Sequence, residues 1–143
     1  MLDRILAFFE NKSEPDQPLS VDECAAALLI EVMLADLDAD QRERDCIANI
    51  LVRRTGSPLV EVLQLIDTAY QQQQESHDLY QFTKVITDNW DEEQRFELIV
   101  DMWRVALADG DLDKYEDHRI RRVNELLHLY HSHFIKAKSA AQH

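Results

Sequence analysis

Carboxylates dominate the chemistry this chain can offer, and they recur in one pattern. An apolar helical run ends in Leu34-Ala35-Asp36-Leu37-Asp38-Ala39-Asp40 with Glu43, and 73 positions later another ends in Leu107-Ala108-Asp109-Gly110-Asp111-Leu112-Asp113 with Glu116. Residues 31–51 laid over residues 104–124 without gaps give eight identities, four of them carboxylates. Composition alone predicts roughly one or two, so the chain reads as a duplicated unit. Carboxylates at alternate positions offer hard oxygen donors, the ligands that calcium and magnesium prefer. The helix-loop-helix calcium loop is excluded, because it needs glycine at its sixth position and glutamate at its twelfth. The strings place Gln41 and Ile47 there in one copy, and Lys114 and Ile120 in the other. What remains is a weaker calcium or magnesium site built from Asp36, Asp38, Asp40, Glu43, Asp109, Asp111, Asp113 and Glu116.

A purely structural reading covers much of the same pattern. Asp40 with Glu43, and Asp113 with Glu116, have the form of capping boxes that satisfy first-turn N–H groups. Asp38 and Asp111 suit tight turns, where the side chain bonds its own backbone. Asp36 and Asp109 fit less well. Each is expected in the last turn of a helix, where the partial negative charge makes an exposed carboxylate unfavourable by about 0.3–1 kcal/mol. A bound cation would remove that penalty.

The elements that position these strings are all helical. Two glycines and three prolines leave few breaks, and no strand pattern is present. A short amphipathic helix is expected over residues 1–10, followed by the proline-bearing linker Ser13 to Pro18. Ser20-Val21-Asp22-Glu23 opens a central apolar helix that runs to about Asp36, and Asp40 opens a third that Gly56 stops. Ser57-Pro58 begins a fourth helix that frays through Gln71 to Gln74. A fifth spans Ser76 to about Asn89, and Asp91 to Gln94 cap the second central helix, with Phe96, Ile99, Val100, Trp103 and Leu107. Asp113 opens a seventh, whose stripe of Ile120, Val123, Leu126, Leu127, Tyr130 and Phe134 predicts one continuous helix. The expectation is therefore an all-α bundle of about seven helices, built from two pseudo-symmetric helix-turn-helix repeats. Residues 1–19 form a short helix and linker, 20–137 the domain, and 138–143 a tail.

Charge narrows the partners. Fifteen basic against 28 acidic residues give a net charge of −13, which repels nucleic acid and acidic lipid and favours cations or a protein partner with a basic surface. No secretory signal or membrane span is visible, and peripheral membrane contact through residues 1–10 is the weaker reading beside simple packing. Cys24 and Cys46 match no zinc or redox spacing, which points to buried free thiols and a cytoplasmic location.

Catalytic motifs are missing: there is no glycine-framed serine and no nucleotide loop. Glu125 and His128 have the spacing used by helical di-iron proteins, but such a site needs the motif twice. His128, His131 and His133 read as a polar helix end, and His77 and His118 as surface residues.

The string Ala108-Asp109-Gly110-Asp111-Leu112-Asp113 with Glu116, set after an apolar helix and repeated upstream, resembles the TerB-like family, named for bacterial tellurite resistance and found also as a region of some membrane-anchored J-domain co-chaperones. The resemblance covers roughly residues 20 to 135. It implies a compact two-repeat helical domain linked to stress responses, an acidic face proposed to hold metal ions, and no established catalysis. The first copy departs from the pattern at Leu37, where the second has Gly110. The expectation is a non-enzymatic stress-associated scaffold with divalent cations on its acidic turns. The alternative is a pure acidic interaction adaptor or co-chaperone-type module without metal.

Overall fold

The computed structural model describes residues 2–11, 19–35, 40–71, 79–110 and 112–142, and among them every regular element is a helix. Eight are present: α1 (Leu2–Asn11), α2 (Val21–Leu34), α3 (Gln41–Thr55), α4 (Leu59–Gln71), α5 (Tyr80–Asn89), α6 (Glu92–Ala106), α7 (Lys114–Leu126) and α8 (His131–Ala141). The Ser13–Pro18 linker, the Gln72–Gln74 fraying and the Ser76 start of the fifth helix lie outside the described residues.

The two helices are central because the body of each is too apolar to meet water, although α6 keeps Glu92, Glu93, Gln94 and Glu97 exposed at its start. Residues 23 to 33 of α2 and 98 to 103 of α6 are all buried, and the two pack on each other and on the helices around them. Local signals set their ends. Ser20 and Glu23 form a complete capping box on α2, as Asp91 and Gln94 do on α6. Gly56 closes α3 with φ +71, and its N–H donates to the Val52 carbonyl.

α1 lays its apolar face on the domain. Leu2, Ile5, Phe8 and Phe9 are buried, and Phe8 meets Phe82 of α5 edge-on at 5.3 Å. Arg4 donates to the buried Glu23 carboxylate at 3.0 Å, tying α1 to the start of α2. The face that could have met a membrane is thus occupied. No helix among the described residues is long and apolar enough to cross one.

One element differs from expectation. The stripe read as a single seventh helix is two, α7 and α8, broken at Leu127 to Tyr130. Three residues make the break. His128 adopts φ +58, and its N–H donates to the Glu125 carbonyl while the Leu129 N–H donates to that of Asn124. This is a Schellman terminus with histidine where glycine is usual. The buried Asn124 amide then donates to the carbonyls of Leu129 and Tyr130, at 3.5 and 3.2 Å. On either side of the break the stripe is buried at Ile120, Val123, Leu127 and Phe134, with Phe134 of α8 packing on Trp103 of α6 at 5.0 Å, whereas Tyr130 at the break is exposed and not part of the core as expected.

Candidate functional site

The acidic turns join α2 to α3 and α6 to α7. Asp36, Asp38 and Asp111 lie outside the described residues; Asp40, Glu43, Asp109, Asp113 and Glu116 are described. Asp40 is the N-cap of α3 and accepts from the N–H groups of Arg42 and Glu43. Its other oxygen accepts from the Arg42 guanidinium at 2.9 Å, and these bonds, the arginine's foremost, hold the carboxyl below its ordinary range. Asp113 caps α7 through the Tyr115 N–H at 2.7 Å. Asp109 is half-buried and sits in the turn two residues beyond the α6 C-cap Leu107, not in the helix's last turn as expected. Gly110 supplies the left-handed conformation that the turn needs, at φ +85.

The glutamates break from expectation. In α2 and α6 the residue three after the cap reaches back to the cap N–H; in α3 only the aspartate half of the box forms, and in α7 Asp113 accepts from Tyr115, one residue short of it. Glu43 and Glu116 instead have 0% exposure. Their neighbours in the alignment behave alike: Val32 with Val105, and Ile47 with Ile120, are fully buried in both copies. Two carboxylates at the same place in two turns are therefore enclosed, where an ionised group costs several kcal/mol unless positive charge or hydrogen bonds compensate.

The family model for the tellurite resistance protein TerB matches residues 22–139. The chain belongs to the TerB family. No match was found among curated proteins or solved structures. The TerB match spans both acidic turns, α3 to α7 whole and nearly all of α2 and α8, so the resemblance carried by the two short strings extends over most of the chain.

In this TerB chain the acidic oxygens suit a hard cation by donor type. Among the described residues, no group of three or more His, Cys, Asp or Glu side chains is arranged to hold a metal ion. Asp36, Asp38 and Asp111 lie outside that set.

The TerB core also holds charged groups that motif reading passed over. Asp101, in the middle of α6, is 2% exposed and accepts from three arginines. Arg53 reaches both oxygens at 3.0 Å, Arg54 one at 2.7 Å and Arg104 the other at 2.8 Å. Glu31 of α2 is equally enclosed, and Arg119 of α7 donates to its carbonyl at 3.2 Å and its carboxylate at 3.5 Å. The signal for both was a lone acid inside an apolar run. Position 119 lies 73 after Cys46, whose thiol donates at 3.5 Å to the carbonyl of Arg104, itself 73 after Glu31.

The remaining candidates resolve simply. Glu125 and His128 are exposed, with His128 outside the helix and Glu125 beside Arg122, so they present no inward di-iron pair. His128 and His131 do not share a helix. His133 accepts from the Tyr130 N–H on Nδ1, which places its proton on Nε2, facing Glu92 at 3.0 Å. His118 is exposed, as expected, and His77 lies outside the described residues. Both cysteines are free thiols, Cys24 buried and Cys46 half-buried. Burial pushes the Cys24 thiol up to about 11.

Proposed function

We propose that this TerB-family chain is a non-enzymatic, stress-associated scaffold whose two acidic turns bind divalent cations, calcium or magnesium, and so set the shape it offers a protein partner. The observation that carries this reading is the matched enclosure of Glu43 and Glu116. A divalent ion beside each would add positive charge where the two turns gather carboxylates, and Asp36, Asp38, Asp109 and Asp111 would complete its oxygen shell. The matched contacts of Cys46 with Arg104 and of Arg119 with Glu31 support a twofold relation between the repeats, so each turn would bind in the same way.

The test is thermal unfolding with and without calcium or magnesium. For sites of about 0.1–1 mM affinity, tenfold excess ion should add about 1.4 kcal/mol per site and raise Tm by several degrees. Glu43→Gln with Glu116→Gln should remove the ion's effect. Asp36→Asn with Asp109→Asn should also diminish the shift. An unchanged Tm at millimolar ion rejects the metal.

The second reading is an acidic adaptor with no metal. It is favoured by the exposed carboxylates of Asp91, Glu92, Glu93 and Glu97 around Trp90 at the start of α6. A lysine-rich peptide should then bind in a salt-sensitive manner. Absence of binding at low salt rejects that reading.

A further inference from the structure

A groove of about 620 Å³ lies between α3 and α6, lined by Arg42, Asp45, Cys46, Asn49, Ile50, Arg53, Arg104 and Ala108. It stands out in a chain with net charge −13, because three of its walls are guanidinium groups. Two of them are aimed from beneath. Asp101 holds Arg53 through Nη2 alone and Arg104 through Nη1 alone, and each guanidinium has five N–H donors, so most of each fork is not used by Asp101. Their side chains remain 59% and 41% exposed.

Charge balance points the same way. One carboxylate neutralises one guanidinium, yet Asp101 is shared by three, Arg53, Arg54 and Arg104. Arg53 and Arg104, the two that line the groove, are therefore only partly neutralised by it. Asp45 opposes their charge in part and is itself held by the Gln41 amide at 2.7 Å. Asp40 takes Arg42 through Nε and Nη2.

We propose that this groove binds a compact phosphate-class oxyanion between Arg42, Arg53 and Arg104, with Asn49 as a further donor. Guanidinium forks match the geometry of phosphate oxygens. Because Asp101 already fixes two of the forks, little side-chain freedom is lost on binding. Compactness matters: a long acidic chain or nucleic acid would meet the surrounding carboxylates, whereas a small anion lies mostly within one screening length, about 8 Å, of the arginines. Asp101 is a positioning residue in this scheme.

Cys46, half-buried in the groove, is the reporter, since Cys24 is enclosed. The alkylation rate of Cys46 by iodoacetamide is measured in inorganic phosphate, in glycerol phosphate, and in chloride at matched ionic strength. Two charge-assisted hydrogen bonds correspond to a Kd near ~1 mM, so ~10 mM phosphate should slow the reaction by about threefold or more. Stronger protection by glycerol phosphate indicates an esterified ligand; stronger protection by inorganic phosphate indicates the free ion. Arg42→Gln with Arg53→Gln should abolish protection while Arg54 and Arg104 still hold Asp101, and Asp45→Asn should increase it. Equal rates in phosphate and chloride overturn the proposal. So does protection that survives loss of both arginines, with helix content by circular dichroism confirming that the variant is folded.

Discussion

Replacing Asp101 by Asn tests how much of the fold hangs on one buried charge. The carboxylate is 2% exposed and takes four hydrogen bonds from Arg53, Arg54 and Arg104. Removing one partner of a fully buried ion pair costs about 3–5 kcal/mol, because the other charge is stranded. Here the arginines are 59%, 22% and 41% exposed and can turn partly to water, which reduces the loss to roughly 2–3 kcal/mol. For a chain of this size that lowers Tm by about 6–12 °C. Urea unfolding followed by helical circular dichroism at several salt concentrations would measure it. The deficit should shrink with added salt, since three clustered guanidiniums then repel one another less. A double-mutant cycle with Arg54→Gln, the least exposed of the three, should show strong coupling. A loss below about 0.5 kcal/mol, the range of ordinary surface changes, would refute the claim that this cluster locks α3 to α6.

The helix ends and the thiols give further expectations. His128→Gly should raise stability by about 0.5–1 kcal/mol, because glycine takes the left-handed conformation without strain; a lower Tm would argue against the Schellman assignment. Gly56→Ala should cost about 1 kcal/mol although nothing lies within 4 Å of the added carbon, since the loss is conformational. For Cys24, raised from 9.0 to about 11, the unfolded chain loses its proton first. Its contribution is therefore intact below pH ~9 and falls away by pH ~11, and Cys24→Ala should flatten that alkaline decline in urea titrations. A thiol reagent should modify Cys46 in the native protein and Cys24 only after unfolding.

The helical elements were legible because their signals are local. Capping boxes at Ser20 and Asp91 and the glycine at 56 act within a few residues of where they are written, and the apolar stripes report which faces must be covered. The split between α7 and α8 was hidden because the break uses His128 and Asn124, and neither residue type announces a terminus. Leu129 and Phe134 continue the apolar pattern across it because both segments bury that side.

The candidate site divides along the same line. Sequence alone determined the duplicated acidic strings, the family they belong to, and the caps Asp40 and Asp113, all of which depend on spacing along the chain. It could not tell a first-turn glutamate that bonds its own cap from one enclosed by neighbouring helices, because both have the same spacing. Only tertiary packing enclosed Glu43 and Glu116. Packing likewise gathered Arg53, Arg54 and Arg104 around Asp101 from segments about 50 residues apart in sequence; charge acts through space, so the meaning of a lone acid on an apolar helix depends on what the fold brings beside it.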